Sequence, residues 1–273
     1  VSSRMLKLRY PAVCAVCGTA VAAGTSAWWD RTTREVRCAG CVSIEGQPAT
    51  HQPPAGELDP GRPGASARRE YLRRRHNREA RVRKRHPLIG GLRLALEGSP
   101  GHETSFLRGA VGEESVARSL VRRTAKGGAI ILHDRAMPRS RANIDHLAIA
   151  PTGVYVIDAK DIAGKVRVSR PLFGAAKLLV RGRNRSRLVD GLDRQVAAVR
   201  QALKDMGRGD VRIQGVFCFT ARAELPLLGR PEIRGHRLHH RRALARKLNR
   251  RGPLSADAIQ VLADALASAF PRR

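Results

Sequence analysis

The chain has 273 residues, of which 42% are hydrophobic, enough for one substantial core and a small extra module. With 52 Lys and Arg against 23 Asp and Glu it carries a formal charge of +29, which makes polyanions, nucleic acid foremost, the expected partners. No stretch of 18 apolar residues occurs, so the sequence contains no hydrophobic helix of membrane-spanning length and no membrane partner is expected.

Residues 1–45 hold Cys14-x2-Cys17 and Cys38-x2-Cys41, with twenty residues between the two pairs. That is the spacing of a four-thiolate structural zinc site, and paired knuckles of this kind make poor disulfides. Four thiolates leave no open position for water, so the expected role of the zinc is structural. Between the knuckles, 22–30 and 34–36 read as a short hairpin, giving a zinc-ribbon or treble-clef-like module. No signal-peptide pattern opens the sequence, which with the zinc reading leads to the expectation of a cytoplasmic protein.

Residues 46–66 are rich in Pro and Gly and read as a linker. The connector 67–108 begins with ten Arg or Lys between Ala67 and His86, on a segment of helical propensity. It lacks an apolar stripe, so docking on a core is not expected. Arg73, Arg74, Arg75, Arg83, Lys84 and Arg85 are candidates for the nucleic-acid backbone; a solvated basic helix is the alternative.

From residue 109 the pattern becomes α/β. Gly109 to Glu114 precede a helical stretch from Ser115 to Arg123, on which Glu113 aligns with Val116, Ala117 and Leu120 and so points towards the core. Two strand-like runs follow, 142–149 and 154–160, joined by Pro151-Thr152-Gly153. Alternation puts Val154, Val156, Asp158 and Lys160 on one face and Tyr155, Ile157 and Ala159 on the other. Asp145, Asp158 and Lys160 at the ends of apolar strands are expensive to bury unless a metal ion and a phosphate join them; a solvated ion pair is the alternative. His133 and His146 read as structural, and Asp134 as a turn residue where a strand ends.

Further strands are expected at 164–169, 176–181, 211–220 and 233–238, and helices at 189–206 and 254–270. Arg183 and Arg185 lie before the first of these helices and suit a phosphate backbone. Cys218, alone in an apolar strand, reads as a core thiol.

Gly112-Glu113, Leu132-His133-Asp134-Arg135, Ser140 to His146, Pro151 to Val154 and Val156-Ile157-Asp158-Ala159-Lys160 together resemble the nuclease-related domain family, NERD, over Gly109 to Leu238. That family is similar to restriction-endonuclease-like enzymes of the PD-(D/E)xK type. Here Ile144 stands where the motif's leading proline would be. The resemblance implies a mixed β-sheet flanked by helices, with Asp145 as the metal-bridging acid and Asp158 as the second ligand. Lys160 would hold or activate the attacking water, Glu113 would be an accessory acid, and Gln195 is the candidate for a polar helix residue reaching the site. Two or three carboxylates without a Cys or His cluster suit magnesium or manganese.

The expected function is therefore metal-dependent hydrolysis of nucleic acid, with DNA as the substrate, by a 109–273 nuclease-like domain. Two alternatives stand beside it: an inactive nucleic-acid-binding protein, and a zinc-bearing adaptor for a protein partner.

Overall fold

The computed structural model describes residues 3–14, 20–30, 35–38, 58–87, 89, 101–226, 229 and 231–272. The chain divides into two compact units, Val1–Glu57 and Leu58–Arg273. Among the described residues no helix is long and apolar enough to cross a membrane.

In the first unit β1 (Ser3–Lys7), β4 (Ser26–Asp30) and β5 (Glu35–Arg37) form an antiparallel sheet, and β2 (Ala12–Val13) pairs with β3 (Ala20–Val21). The β4–β5 pairing is the hairpin expected between the knuckles, while β1 was not anticipated. Leu8, Cys14, Val21, Ala27 and Val36 make its small core. Cys14 and Cys38 are neighbours, the backbone N–H of Cys38 donating to Cys14 Sγ at 3.3 Å. Cys17 and Cys41 lie outside the described residues, so half of the expected thiolate set has no described position.

The second unit is built on a six-stranded sheet in the order β14-β15-β12-β8-β7-β6. Its strands are β6 (Ile130–Ala136), β7 (Asn143–Ala150), β8 (Gly153–Lys160), β12 (Ile213–Phe219), β14 (Glu232–Ile233) and β15 (His236–His240). β6, β7 and β8 pair antiparallel, whereas β12 runs parallel to both β8 and β15. This is a mixed α/β sheet, in agreement with the expected fold class. β8 is the clearest case of sequence dictating place: every residue but Lys160 is buried, as a central strand covered on both faces requires.

Its alternation is realised in the packing. Val154 and Val156 join one cluster with α3 (Arg187–Asp205) and α5 (Ala256–Ala269). Tyr155, Ile157 and Ala159 join the other, with α2 (Gly101–Thr124) and α4 (Arg241–Leu248). On α3, Val189, Leu192, Val196, Val199 and Leu203 recur at helical spacing and are buried, each contributing about 1.5–3 kcal/mol before the entropy of ordering. Ser255 caps α5, its hydroxyl accepting from Ala258 N at 3.2 Å. A smaller sheet, β11-β10-β9-β13, comprises β9 (Gly164–Ser169), β10 (Lys177–Val180), β11 (Arg183–Asn184) and β13 (Ala223–Glu224).

Three expectations are corrected. The helix carrying Glu113 starts at Gly101, so Gly109 and Gly112 lie inside α2 instead of preceding it. Gly112 is there because the helix presses on the end of β8: a Cβ at this position would stand 2.6 Å from the Asp161 Cβ. The expected linker is not free at its C-terminal end. Leu58 packs on the main core, His133 N donates to Pro60 O at 2.6 Å, and Gly64, with φ 72°, lies against the Ala110 backbone. Residues 46–57 lie outside the described residues.

Finally, the basic segment forms α1 (Ala65–Arg85), which does dock, against α2. None of its residues is buried, so no apolar stripe holds it. Ser66 N donates to Asp134 Oδ2 at 2.7 Å, Arg68 pairs with Glu114 at 2.7 Å, and the Arg74 guanidinium lies 4.5 Å above the Phe106 ring.

Candidate active site

Asp145 and Asp158 meet because β7 and β8 are hydrogen-bonded neighbours. Asp145 lies one step beyond the His146–Ile157 pair, and its Oδ2 accepts from Ala159 N at 2.9 Å. Asp158 and Lys160, two residues apart on the same face of β8, are joined by a direct bond from Lys160 Nζ to Asp158 Oδ1. Lys160 Nζ also reaches Ala159 O at 3.3 Å. The α2 helix brings Glu113 to this group from the opposite side of the strand ends.

These carboxylates are nearly dry, at 9% exposure for Glu113, 8% for Asp145 and 7% for Asp158. Burial, followed by the negative charges of Asp145 and Asp134, pushes Glu113 up to about 9. Burial also raises Asp158, to about 7, against the opposing pull of Lys160. Burial works against the Lys160 ammonium, but Asp158 and Asp145 outweigh it and hold that group charged well above neutral pH. Glu113 Oε2 is buried with no hydrogen-bond partner.

Such a set has a net deficit of positive charge. Hard oxygen donors that are buried and crowded are the donor type that a divalent cation of the magnesium type takes. Among the described residues, no three His, Cys, Asp or Glu side chains stand together at metal-ligand geometry. The Lys160–Asp158 bond and the Asp145–Ala159 bond each engage one oxygen of the carboxylate.

Asp134 is the site residue that sequence reasoning missed. It lies within β6, not beyond the strand's end, with a left-handed backbone of φ 48° that Asp tolerates better than most residues. The β6–β7 ladder pairs His133 with His146 and Arg135 with Ile144, passing over Asp134. Its buried carboxylate accepts from Ser66 N and, at 2.8 Å, from Asn143 Nδ2, and lies 3.7 Å from Arg69. A lone acid within an otherwise buried strand was the available signal.

Gln195 reaches the site region from α3. Its Nε2 donates to Asn143 O at 3.0 Å, two residues before Asp145, and its Oε1 is buried and unpartnered. His133 and His146 face each other behind the acids, Nδ1 to Nδ1 at 3.0 Å. Burial drives both well below the usual histidine range, His146 to about 3, so they form a neutral pair.

A cleft of 930 Å³ opens over Glu113 between α1 and α2. Arg69, Arg73, Arg74 and Arg141 line it, along with Asn143. Of the arginines expected to meet a phosphate backbone, Arg73 and Arg74 thus lie at the cleft. Arg75, Arg83, Lys84 and Arg85 continue along α1 outside its lining, and Arg183, on the small sheet, and Arg185, just after it, are exposed. Arg69 and Arg141 were not anticipated.

Residues 108–220 match the sequence model of the NERD family, described as nuclease-related domain. The match spans Glu113, Asp134, Asp145, Asp158, Lys160 and Gln195, and excludes the first unit, α1, α4 and α5. Searches of curated proteins and of solved structures gave no match.

Proposed function

We propose, from the nuclease-related match and the cluster of buried acids that Glu113 joins to the α1–α2 cleft, that residues 58–273 form a nuclease of the PD-(D/E)xK type that hydrolyses nucleic acid, with DNA as substrate, in the cytoplasm. The observation that carries this reading is the gathering of buried Glu113, Asp145 and Asp158 with Lys160, of which Glu113 lines a cleft that also holds four arginines.

In this reading Asp145 and Asp158 hold magnesium or manganese, with Glu113 as the accessory acid. When bound, that ion supplies charge neutralisation at the scissile phosphate and lowers the pKa of coordinated water. Lys160 turns from Asp158 towards the nucleophilic water and offsets negative charge as it develops. Arg69, Arg73, Arg74 and Arg141 position the phosphates without reading sequence. Gln195 fixes the start of β7, and so the Asp145 backbone, through its bond to Asn143.

Purified protein should degrade DNA with magnesium or manganese and cease to do so in EDTA. A second reading, binding without hydrolysis, is favoured by the bond that closes Asp158 onto Lys160. Nucleic-acid binding with no cleavage in either metal, on single- or double-stranded DNA or RNA, would establish that reading instead.

For the first unit we propose a structural zinc held by Cys14, Cys17, Cys38 and Cys41, supported by the Cys14–Cys38 proximity. Protein purified without chelator should contain about one zinc per chain. Less than half of that, or a disulfide map joining these cysteines, would rule it out.

A further inference from the structure

We infer that the groove between α2 and α4 is a second binding site for the phosphodiester backbone, separate from the α1–α2 cleft. The inference rests on nucleic acid being the ligand of the cleft, but not on hydrolysis there.

This groove has a volume of 790 Å³, and five of its eleven lining residues are arginines: Arg118, Arg122, Arg123, Arg241 and Arg242. The sequence as a whole has 44 arginines in 273 residues, so the groove is enriched well beyond its general bias. No Asp or Glu lines it. Among the described residues none of the five pairs with a carboxylate. On α1 the opposite holds: Arg68, Arg73, Arg74, Arg75 and Arg83 all face glutamates.

Local geometry sharpens the case. Ser115, Arg118, Ser119 and Arg122 recur at i, i+3, i+4 and i+7, a single stripe about 10 Å long on α2. Glu113 and Arg122 are nine residues apart, which at about 100° per residue puts them on opposite sides of the helix. The two sites are thus separated by the body of α2. Arg241 is fixed in place by Ser115, its Nη1 donating to Ser115 Oγ at 2.6 Å. Arg241 and Arg242 occupy the first turn of α4, which has no acidic residue and no side-chain cap bond. Cations at that end oppose the helix dipole, an arrangement that an anion relieves. A stripe of this length exceeds what one small phosphate needs and fits successive phosphates of a strand.

The test is equilibrium binding in EDTA by the full chain and two variants. Arg118→Gln/Arg122→Gln/Arg242→Gln removes exposed charges and leaves Arg241 to hold α4; Arg73→Gln/Arg74→Gln alters the cleft. The groove variant should bind a long polynucleotide more weakly, with a log-log salt slope shallower by up to about 2.7 on duplex DNA, for three lost contacts. It should bind a short oligonucleotide that fills only the cleft as wild type does, and cleave it as wild type does when magnesium replaces EDTA, while the cleft variant weakens on both ligands.

Unchanged binding of long nucleic acid by a folded groove variant overturns the inference, whatever the cleft does. So does protection of the groove arginines from chemical modification by inorganic tripolyphosphate but not by polynucleotide, which would mark a small-anion site. Groove-dependent binding without any cleavage sustains the inference and defeats the catalytic reading.

Discussion

The two helices that wall the cleft are held in opposite ways. Within α2, Val116, Ala117 and Leu120 are buried against the sheet, with Glu113 on the same stripe, so the helix is part of the core that presents the acids. α1 buries no residue and is held by a carboxylate at its first turn, ion pairs and one cation–π contact. A wall of the first kind fixes geometry; one of the second kind adapts to a ligand and responds to salt.

The sharpest test of that contrast is at the acids α2 helps enclose. Asp145→Asn or Asp158→Asn should lower hydrolysis by about 10²–10³-fold or more while the fold persists. Activity that survives both changes would assign the cleavage to another protein. Next in size is packing: Leu120→Ala in α2 should cost about 2–5 kcal/mol in urea unfolding. Leu72→Ala, at a half-exposed position of α1, should stay within about 0.5 kcal/mol. Equal losses would mean that α1 is packed as firmly as α2.

Titration extends the comparison. Glu113, raised to about 9, and Asp158, raised to about 7, hold protons in the folded state that the unfolded chain has already released. Below about pH 6.5 the buried His133–His146 pair works the other way, because the unfolded chain protonates both rings; stability of the metal-free protein should therefore fall as pH rises from about 6.5 to about 9, by on the order of a few kcal/mol. Glu113→Gln should flatten the upper part of that decline and raise stability at pH 8, read as the thermal midpoint across pH; an unchanged profile would show Glu113 ionised and satisfied. Most local in its effect is the cap of α1. Asp134→Ala should release this helix at a cost of roughly 1–3 kcal/mol, seen as faster amide exchange in α1 with β8 little changed. Uniform protection loss across both would make α1 part of the cooperative core.

The sheet and the acids were legible because burial constrains them strongly. β8 reads as an apolar strand with two charges at its end, and the α3 and α5 stripes announce their buried faces. What was illegible is what charge and backbone conformation decide. Asp134 combines turn-like chemistry with a place inside a strand. Gly112 resembles a helix breaker until the Asp161 side chain against it is known. α1 docks without the periodicity by which docking is recognised, and α4, of eight residues with four of them Arg or Lys, hides its buried Leu244 and Leu248 in a basic run.

The docking of residues 58–66 also sets the smallest autonomous fragment. Asp134, inside the family match, loses the Ser66 partner if the chain is cut at residue 108, and His133 loses Pro60 as an acceptor. A fragment trimmed to the matched boundaries would expose a strand edge and strand a buried acid. A fragment that keeps these partners therefore starts at Leu58, fifty residues before the family match begins.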